Sequence, residues 1–404
     1  VRVTPLARTR RVSCDRWRMT APGANRRRFF ETAGAVLASA AAVTVTQVPD
    51  ASAVGTDDAV VRSPRPRVYH VDFTDPPTTK PFPQNQESRA VQQLCDANIV
   101  FLGEHRDSEK DRSLQVDILT RKQMLTRKKD LAIGLEQVEQ RFQPVLDAYV
   151  ARTVPDAAEA EAALCRDTEW DARWEWPFDG ALPVLRLARQ RGLPLLALGT
   201  DSEALFKVRR EGLEGLTAEE RNQYVVDFRG FIQFVKDPGF KLYAEKLIFP
   251  AYDQQLERTA AAAAGNAAGG RAPFRPSKQN FFAARILGDE AMASRAATYA
   301  ADRPAGTLVI LQGSDRVCYE FGSAARAERI ARSFGGALAV QTVLLNPTAQ
   351  ESLSLTPALR LALAYGEDLY ATRPLADYLW FSESPPVRLV PRMMPPDAPE
   401  IKLF

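Results

Sequence analysis

The chain has 404 residues, of which 45% are apolar and 25% charged, with a mean hydropathy of −0.26. These values exclude collagen-like, coiled-coil, disulfide-dense and fully disordered classes. The formal charge is +3, but nine arginines and three acids lie in residues 1–53. The rest therefore carries 44 Lys/Arg against 47 Asp/Glu, a net charge of −3. A slightly acidic body without a basic stripe excludes nucleic acid as the main partner, because phosphate binding needs clustered cations.

Residues 1–53 read as an address label. Residues 1–24 are rich in Arg, Ser and Thr with the single acid Asp15, a transit-peptide composition, and Arg11-Val12-Ser13-Cys14 resembles a stromal processing site. Asn25-Arg26-Arg27-Arg28-Phe29-Phe30 then precedes an uncharged small-residue run from Thr32 to Thr46, followed by Ala51-Ser52-Ala53. Twin arginines, a mild apolar run and A-x-A resemble a twin-arginine export signal. The run is too short for a membrane span, which needs about 20 apolar residues. The two signals together predict delivery to the chloroplast thylakoid lumen, with a mature chain that starts near Val54 and has no transmembrane segment. The competing readings are a bacterial periplasmic protein with a long leader and an N-terminal anchor helix.

Residues 54–86 are Pro-rich and polar and read as a linker, with one short strand over Arg67–Val71. A β/α alternation follows. Buried strands are predicted at Asn98–Gly103, Leu131–Leu135, Pro194–Leu198, Thr307–Leu311 and Val340–Leu345. Helical spacing covers Ser108–Leu125, Gln140–Val150, Ala157–Leu164, Leu182–Gln190 and Gln279–Ala300. Between the third and fourth strands, Ser202–Glu211, Ala218–Val235 and Lys241–Glu257 form an aromatic-rich helical subdomain (residues 202–258). The Ala/Gly-rich stretch 259–278 reads as a mobile loop, and the proline-rich residues 381–404 as an extended tail. The predicted fold is α/β: a mostly parallel sheet of five or six strands flanked by helices, with the helical subdomain inserted between strands 3 and 4. Its main body is residues 87–380. Cys95, Cys165 and Cys318 have no metal-ligand spacing and read as free thiols.

Ligands of an open parallel sheet bind beyond the carboxyl ends of its strands. The first predicted strand ends in Gly103-Glu104-His105-Arg106-Asp107, the second in Glu136, and the fourth in Gly313-Ser314-Asp315-Arg316-Val317-Cys318-Tyr319. If the first two strands pair, Glu104 and Glu136 lie together, and a cation must sit between them or one pKa must rise. That cation is either a metal or an arginine; alternatively the two acids are solvated. Phe228, Phe231 and Phe234 at helical spacing read as core, and Trp170, Trp174 and Trp176 as a structural plug.

Several blocks carry a resemblance: "LAIGLEQVEQRFQPVLDAYV", "RWEWPF", "LPLLALGTDSEALFKVRREGLEGLT", "FFAARILGDEAMASRAA" and "LVILQGSDRVCYEFGSAAR". In this order the sequence resembles the ChaN-like haem-binding proteins, relatives of the Tiki metalloproteases and erythromycin esterases, over Arg67–Tyr378. The resemblance implies haem as cofactor, a tetrapyrrole as partner and a homodimer with facing haems. It also exposes departures. Arg106 stands where the G-E-x-H-D histidine is expected, with His105 one place early. Arg112 replaces a second histidine, and Arg316 replaces that of G-x-x-H. His70 and His105 are the chain's two histidines. Two glutamates with Arg106 and Arg316 sum to zero charge, as two glutamates with a divalent metal do, and guanidinium binds carboxylate in bidentate fashion. A divalent metal is therefore not expected; if one binds, Glu104 and Glu136 hold it. The candidate cofactor-binding set is Glu104, His105, Arg106, Glu136, Arg316 and Tyr319, with the arginines on propionates and Tyr319 either an iron ligand or a core residue. The sequence leaves a tetrapyrrole binder, a metal-dependent hydrolase and a non-catalytic scaffold in competition.

Overall fold

The computed structural model describes residues 67–72, 77–121, 124, 130–265, 274–365, 371–383 and 389–390. The predicted leader lies outside the described residues, as does most of the tail. All five predicted strands are present. They are β3 (Ile99–Glu104), β4 (Leu131–Glu139), β5 (Leu195–Gly199), β6 (Thr307–Gly313) and β7 (Val340–Leu345). β1 (Val68–Asp72), β2 (Thr78–Phe82) and β11 (Tyr378–Trp380) join them in one eight-stranded sheet of order β2-β1-β11-β7-β3-β6-β4-β5. From β11 to β5 every neighbouring pair is parallel, while β1 runs antiparallel to both β2 and β11.

The segment read as a linker thus holds two paired strands, and Arg67–Val71 corresponds to β1. The lure toward a linker is β2 itself, Thr-Thr-Lys-Pro-Phe, an exposed edge strand with no apolar alternation. Proline is tolerated there because an edge strand leaves N–H groups unpaired. A second correction bears on the site. β3 and β4 do not pair; β6 lies between them. β6 is buried along its whole length, as a central parallel strand must be.

Two apolar layers cover the sheet faces. One centres on Val100, Leu102, Ile133 and Val309 under the helices Glu109–Thr120, Gln143–Val150 and Leu182–Arg191. The other centres on Phe101, Leu308 and Ile310 beneath the helix Lys278–Ala301 and the subdomain between β5 and β6. The predicted helix 218–235 is broken into Ala218–Tyr224 and Phe228–Phe234, because the Asp227 carboxylate accepts the Gly230 N–H and caps a new start. Phe231 is core, whereas Phe228 is 43% exposed. The start of the predicted loop 259–278 is helical, since Phe249–Gly265 continues through the alanine run, in keeping with alanine's helix propensity. Residues 266–273 lie outside the described residues. From the tail, Leu389–Val390 pairs with β8 (Leu359–Arg360).

β5 is a sheet edge, and the side chain of Gln143 seals it. Gln143 Nε2 donates to the Leu195 carbonyl (2.7 Å), and Oε1 accepts the Ala197 N–H (2.8 Å). One glutamine therefore stands in for a neighbouring strand, an answer to the hazard of an open edge. Gln143→Ala should lower stability by about 1–3 kcal/mol, the cost of leaving buried backbone groups unmet, with a fall in urea midpoint and increased self-association. An unchanged midpoint would show that water satisfies this edge equally well.

Candidate functional site

Glu136 leaves the carboxyl-terminal half of β4 and is 7% exposed. Its Oε1 lies 2.8 Å from Arg106 Nη2 and 2.9 Å from Arg316 Nε. Its Oε2 accepts the Gly313 N–H at 2.7 Å. Arg106 extends the network to Asp315 (3.0 Å), which Arg285 also contacts (2.7 Å). Arg316 reaches fully buried Asp289, which Arg285 contacts as well (3.2 Å). Three carboxylates and three guanidiniums thus alternate under the strand ends. Burial alone would raise the Glu136 pKa; Arg106 and Arg316 outweigh it and hold the carboxyl below its ordinary range. Burial opposes Asp315 ionisation too, yet Arg106, Arg285 and Arg316 pull its pKa far down. Gly313 is required by space: a Cβ there would lie 2.1 Å from Arg106 Nη2.

Glu104, at the end of β3, feels the charge of Arg106 and Arg112 without an ion pair to either. Its Oε2 accepts a hydrogen bond from Gln115 Nε2 at 2.7 Å, and no guanidinium pairs with it among the described residues. Burial pushes its pKa up to about 7; the Gln115 hydrogen bond pulls the other way, and the nearby charge of Glu136 adds to the rise. The expected zero sum of two glutamates and two arginines is therefore corrected. Arg106 and Arg316 both serve Glu136, with Asp315 and Asp289 completing the balance. Because β6 separates β3 from β4, the two glutamates approach from either side of it rather than across one strand pair.

His105 is held between two acids. Nδ1 lies 2.7 Å from Asp111 and Nε2 2.8 Å from Glu351. The Asp111 and Glu351 contacts lift its pKa to about 10 against the effect of burial. An imidazolium with both nitrogens engaged offers no lone pair to iron. Tyr319 is fully buried, and its hydroxyl donates to the Ser352 carbonyl (2.7 Å). Burial pushes its pKa well up, so in this arrangement it is a core side chain and not an accessible tyrosinate. Both oxygens of Glu136 face donors, so its electron pairs are directed at cations already present. A crevice of about 30 Å³ remains beside Glu104, walled by Arg106, Arg112, Gln115 and the three tryptophans Trp170, Trp174 and Trp176. A water needs about 10–15 Å³ by this measure, so the crevice admits one or two waters and no tetrapyrrole. The strand-end residues thus fit neither haem iron nor a metal ion in this arrangement.

Sequence reasoning missed Asp289, Arg285, Gln115, Asp111 and Glu351. One signal was available: Asp289 and Glu290 are acids amid the small apolar residues of helix Lys278–Ala301, most of whose length is buried. Buried acids require cations. Cys95 and Cys318 are buried free thiols, and Cys165 is partly exposed.

Glu104 yields a pH test. Its folded pKa is raised to about 7, so its favourable contribution is full below the unfolded value near 4.5 and is lost as pH rises through 7. Glu104→Gln should keep the Gln115 contact and gain stability relative to the unmodified chain across that interval. The gain should reach on the order of 2–3 kcal/mol by pH 8. Urea unfolding at pH 5 and pH 8 measures it; a pH-independent difference would place Glu104 in water.

A family model described as "Haem-binding uptake, Tiki superfamily, ChaN" matches residues 90–326, more than half of the chain. The chain is 24% identical over 311 residues to Protein RETICULATA-RELATED 5, chloroplastic, of Arabidopsis thaliana. That match covers 74% of this chain but 36% of the relative, so the chain spans about a third of that protein's length. Among solved structures, "Cofacial heme binding to ChaN of Campylobacter jejuni" aligns with a TM-score of 0.46 and 14% identity, over 78% of this chain and 96% of that one. The type III effector HopBA1 aligns at 0.34 and 10%, over 73% and 91%. The match across residues 90–326 establishes that the chain belongs to the haem-binding uptake family of the Tiki superfamily, the family of ChaN.

Proposed function

We propose that the chain is a binding protein for haem or a related tetrapyrrole in the chloroplast thylakoid lumen, with a storage or trafficking role and without hydrolase chemistry. Family membership supports the ligand class. The chloroplastic relative supports the organelle, and the twin-arginine pattern Arg26-Arg27 followed by Ala51-Ser52-Ala53 supports the lumen. Among the described residues no helix is long and apolar enough to cross a membrane.

One observation carries the choice of binder over hydrolase. Glu136, the carboxylate a metal centre would use, is neutralised by Arg106 and Arg316, which are attached covalently to the chain and cannot be displaced as a solvent cation can. Removing one partner of such a buried pair generally costs about 3–5 kcal/mol, so a metal ion would have to expel arginines at that cost. The hydrolase reading keeps one observation in its favour, the Glu104 carboxyl poised near pH 7 beside the crevice, as general acid–base chemistry requires.

Titration of the purified chain with haemin should give a saturable, stoichiometric change in the Soret band. A strictly linear, non-saturating response would refute the binding reading. A fusion of residues 1–60 to a reporter should enter chloroplasts and cross the thylakoid membrane by the pH-gradient route. Arg26→Lys with Arg27→Lys should stop the second step; transport indifferent to both changes would refute the lumenal assignment.

A further inference from the structure

The second half of the helix Lys278–Ala301 brings Ser294, Arg295, Thr298 and Tyr299 to one side, by the i, i+4 spacing of helical neighbours. These residues wall a groove of about 670 Å³ at the β5 edge of the sheet. That volume is in the range of small-molecule sites, about 300–1,000 Å³. Leu195 and Leu196, which begin β5, give the groove aliphatic surface together with Pro194 and Val226. No residue of the Glu136 network lines it.

Two polar groups of the wall are unmet. Ser294 is 3% exposed, and its hydroxyl has no hydrogen-bond partner among the described residues. Its neighbour Arg295 is half-buried, and its Nε likewise has no partner there. Arg295 Nη2 meets Gln143 Oε1 at 3.4 Å, an oxygen that already accepts the Ala197 N–H at 2.8 Å. Among the described residues no carboxylate is ion-paired with Arg295. The other arginines of the groove are engaged: Arg141 with Glu139 and Glu203 (2.8 and 2.9 Å), and Arg303 over the Tyr299 ring, 4.0 Å from its centroid. Arg295 is thus the guanidinium left for a ligand, and guanidinium holds carboxylate by charge-assisted hydrogen bonds. Two exposed acids also line the groove, Asp147 and Asp302, and Asp147 accepts the Gln143 amide at 2.9 Å. They oppose a second negative charge on whatever occupies it.

We infer that the groove beside β5 binds a monocarboxylate with an aliphatic body. Its carboxylate sits between the Arg295 guanidinium and the Ser294 hydroxyl, and its chain lies along Leu195, Leu196 and Val226. One guanidinium and one hydroxyl suit a single charge, and the two aspartates select against a head group of charge −2. This site is separate from the tetrapyrrole reading, and a haemin titration does not bear on it.

Isothermal titration calorimetry of the purified chain with decanoate at pH 8 tests the inference. Decanoate should bind saturably at one site per chain. The uncharged 1-decanol should bind at least about tenfold more weakly, the loss expected when a charge-assisted hydrogen bond is removed. Decyl phosphate, doubly charged at pH 8, should bind no tighter than decanoate. Arg295→Gln should lose about tenfold toward decanoate and nothing toward 1-decanol. Arg295→Lys, which keeps the charge but not the fork, should fall between. Val226→Asp, at a position 43% exposed, should weaken decanoate about tenfold by setting an acid against its chain, and it serves should the Arg295 variants fail to fold. Absence of saturable decanoate binding would overturn the inference, as would 1-decanol that binds like decanoate or decyl phosphate more than tenfold tighter. Full affinity in the folded Arg295→Gln or Val226→Asp variant would put decanoate elsewhere on the chain and overturn it as well.

Discussion

A carboxylate that leaves the end of a central parallel strand cannot keep its water, and the site follows from how that charge is met. Glu136 lies beneath the helix Lys278–Ala301 and beside β6, where an isolated ion would be prohibitively costly. Two guanidiniums and one backbone N–H answer it. Two arginines on one carboxylate leave surplus positive charge, and Asp315 and Asp289 absorb it. Arg285 then bridges those two acids. The network therefore recruits the loops after β3 and β6 and the long helix between β5 and β6. Any change at Glu136 is felt in three separate elements.

The close approach of these elements explains the glycines that end the strands. Gly103 of β3 faces Leu344 of β7, and a Cβ there would lie 2.7 Å from the Leu344 side chain. Gly313 of β6 leaves room for the Arg106 guanidinium. A side chain at Gly313 would push Arg106 off Glu136, so the ion pair depends on a residue with no side chain. The same loop then turns sharply, with Tyr319 and Glu320 in the left-handed region (φ 59° and 60°). Such backbone is costly for residues other than glycine, and the burial of Tyr319 with its bond to the Ser352 carbonyl supplies the compensation.

Much of this was legible in the sequence. The five strands β3 to β7 stood out because parallel strands buried on both faces read as unbroken apolar runs such as Leu131–Leu135. Glu104, Glu136, Arg106 and Arg316 were found because strand-end positions are where such sheets place their chemistry. The order of the strands was not legible: nothing local in Thr307–Gly313 tells that it lies between β3 and β4. Nor could the three-residue strand Tyr378–Trp380 be seen, since its pairing with β1 and β7 and not its own pattern makes it a strand. The partners of His105 and Glu104 escaped for a related reason. Asp111 and Gln115 lie in the first two turns of the charged helix Glu109–Thr120, yet both are buried. Glu351 arrives from far along the chain.

Neutralising a buried carboxylate with arginines differs from neutralising it with a metal ion in the space it takes. A metal ion is small and leaves space for substrate at its open coordination positions, whereas two guanidiniums carry equivalent charge in a much larger volume. Neutralising Glu136 this way also fills the strand-end crevice to about 30 Å³. Arg112 lies on the outer side of the same wall. Its Nη2 donates to the Arg106 carbonyl and so braces the loop that carries Arg106, while its charge acts on Glu104. The strand ends are thus left with a filled, charge-balanced centre in which protein cations occupy the space around Glu136.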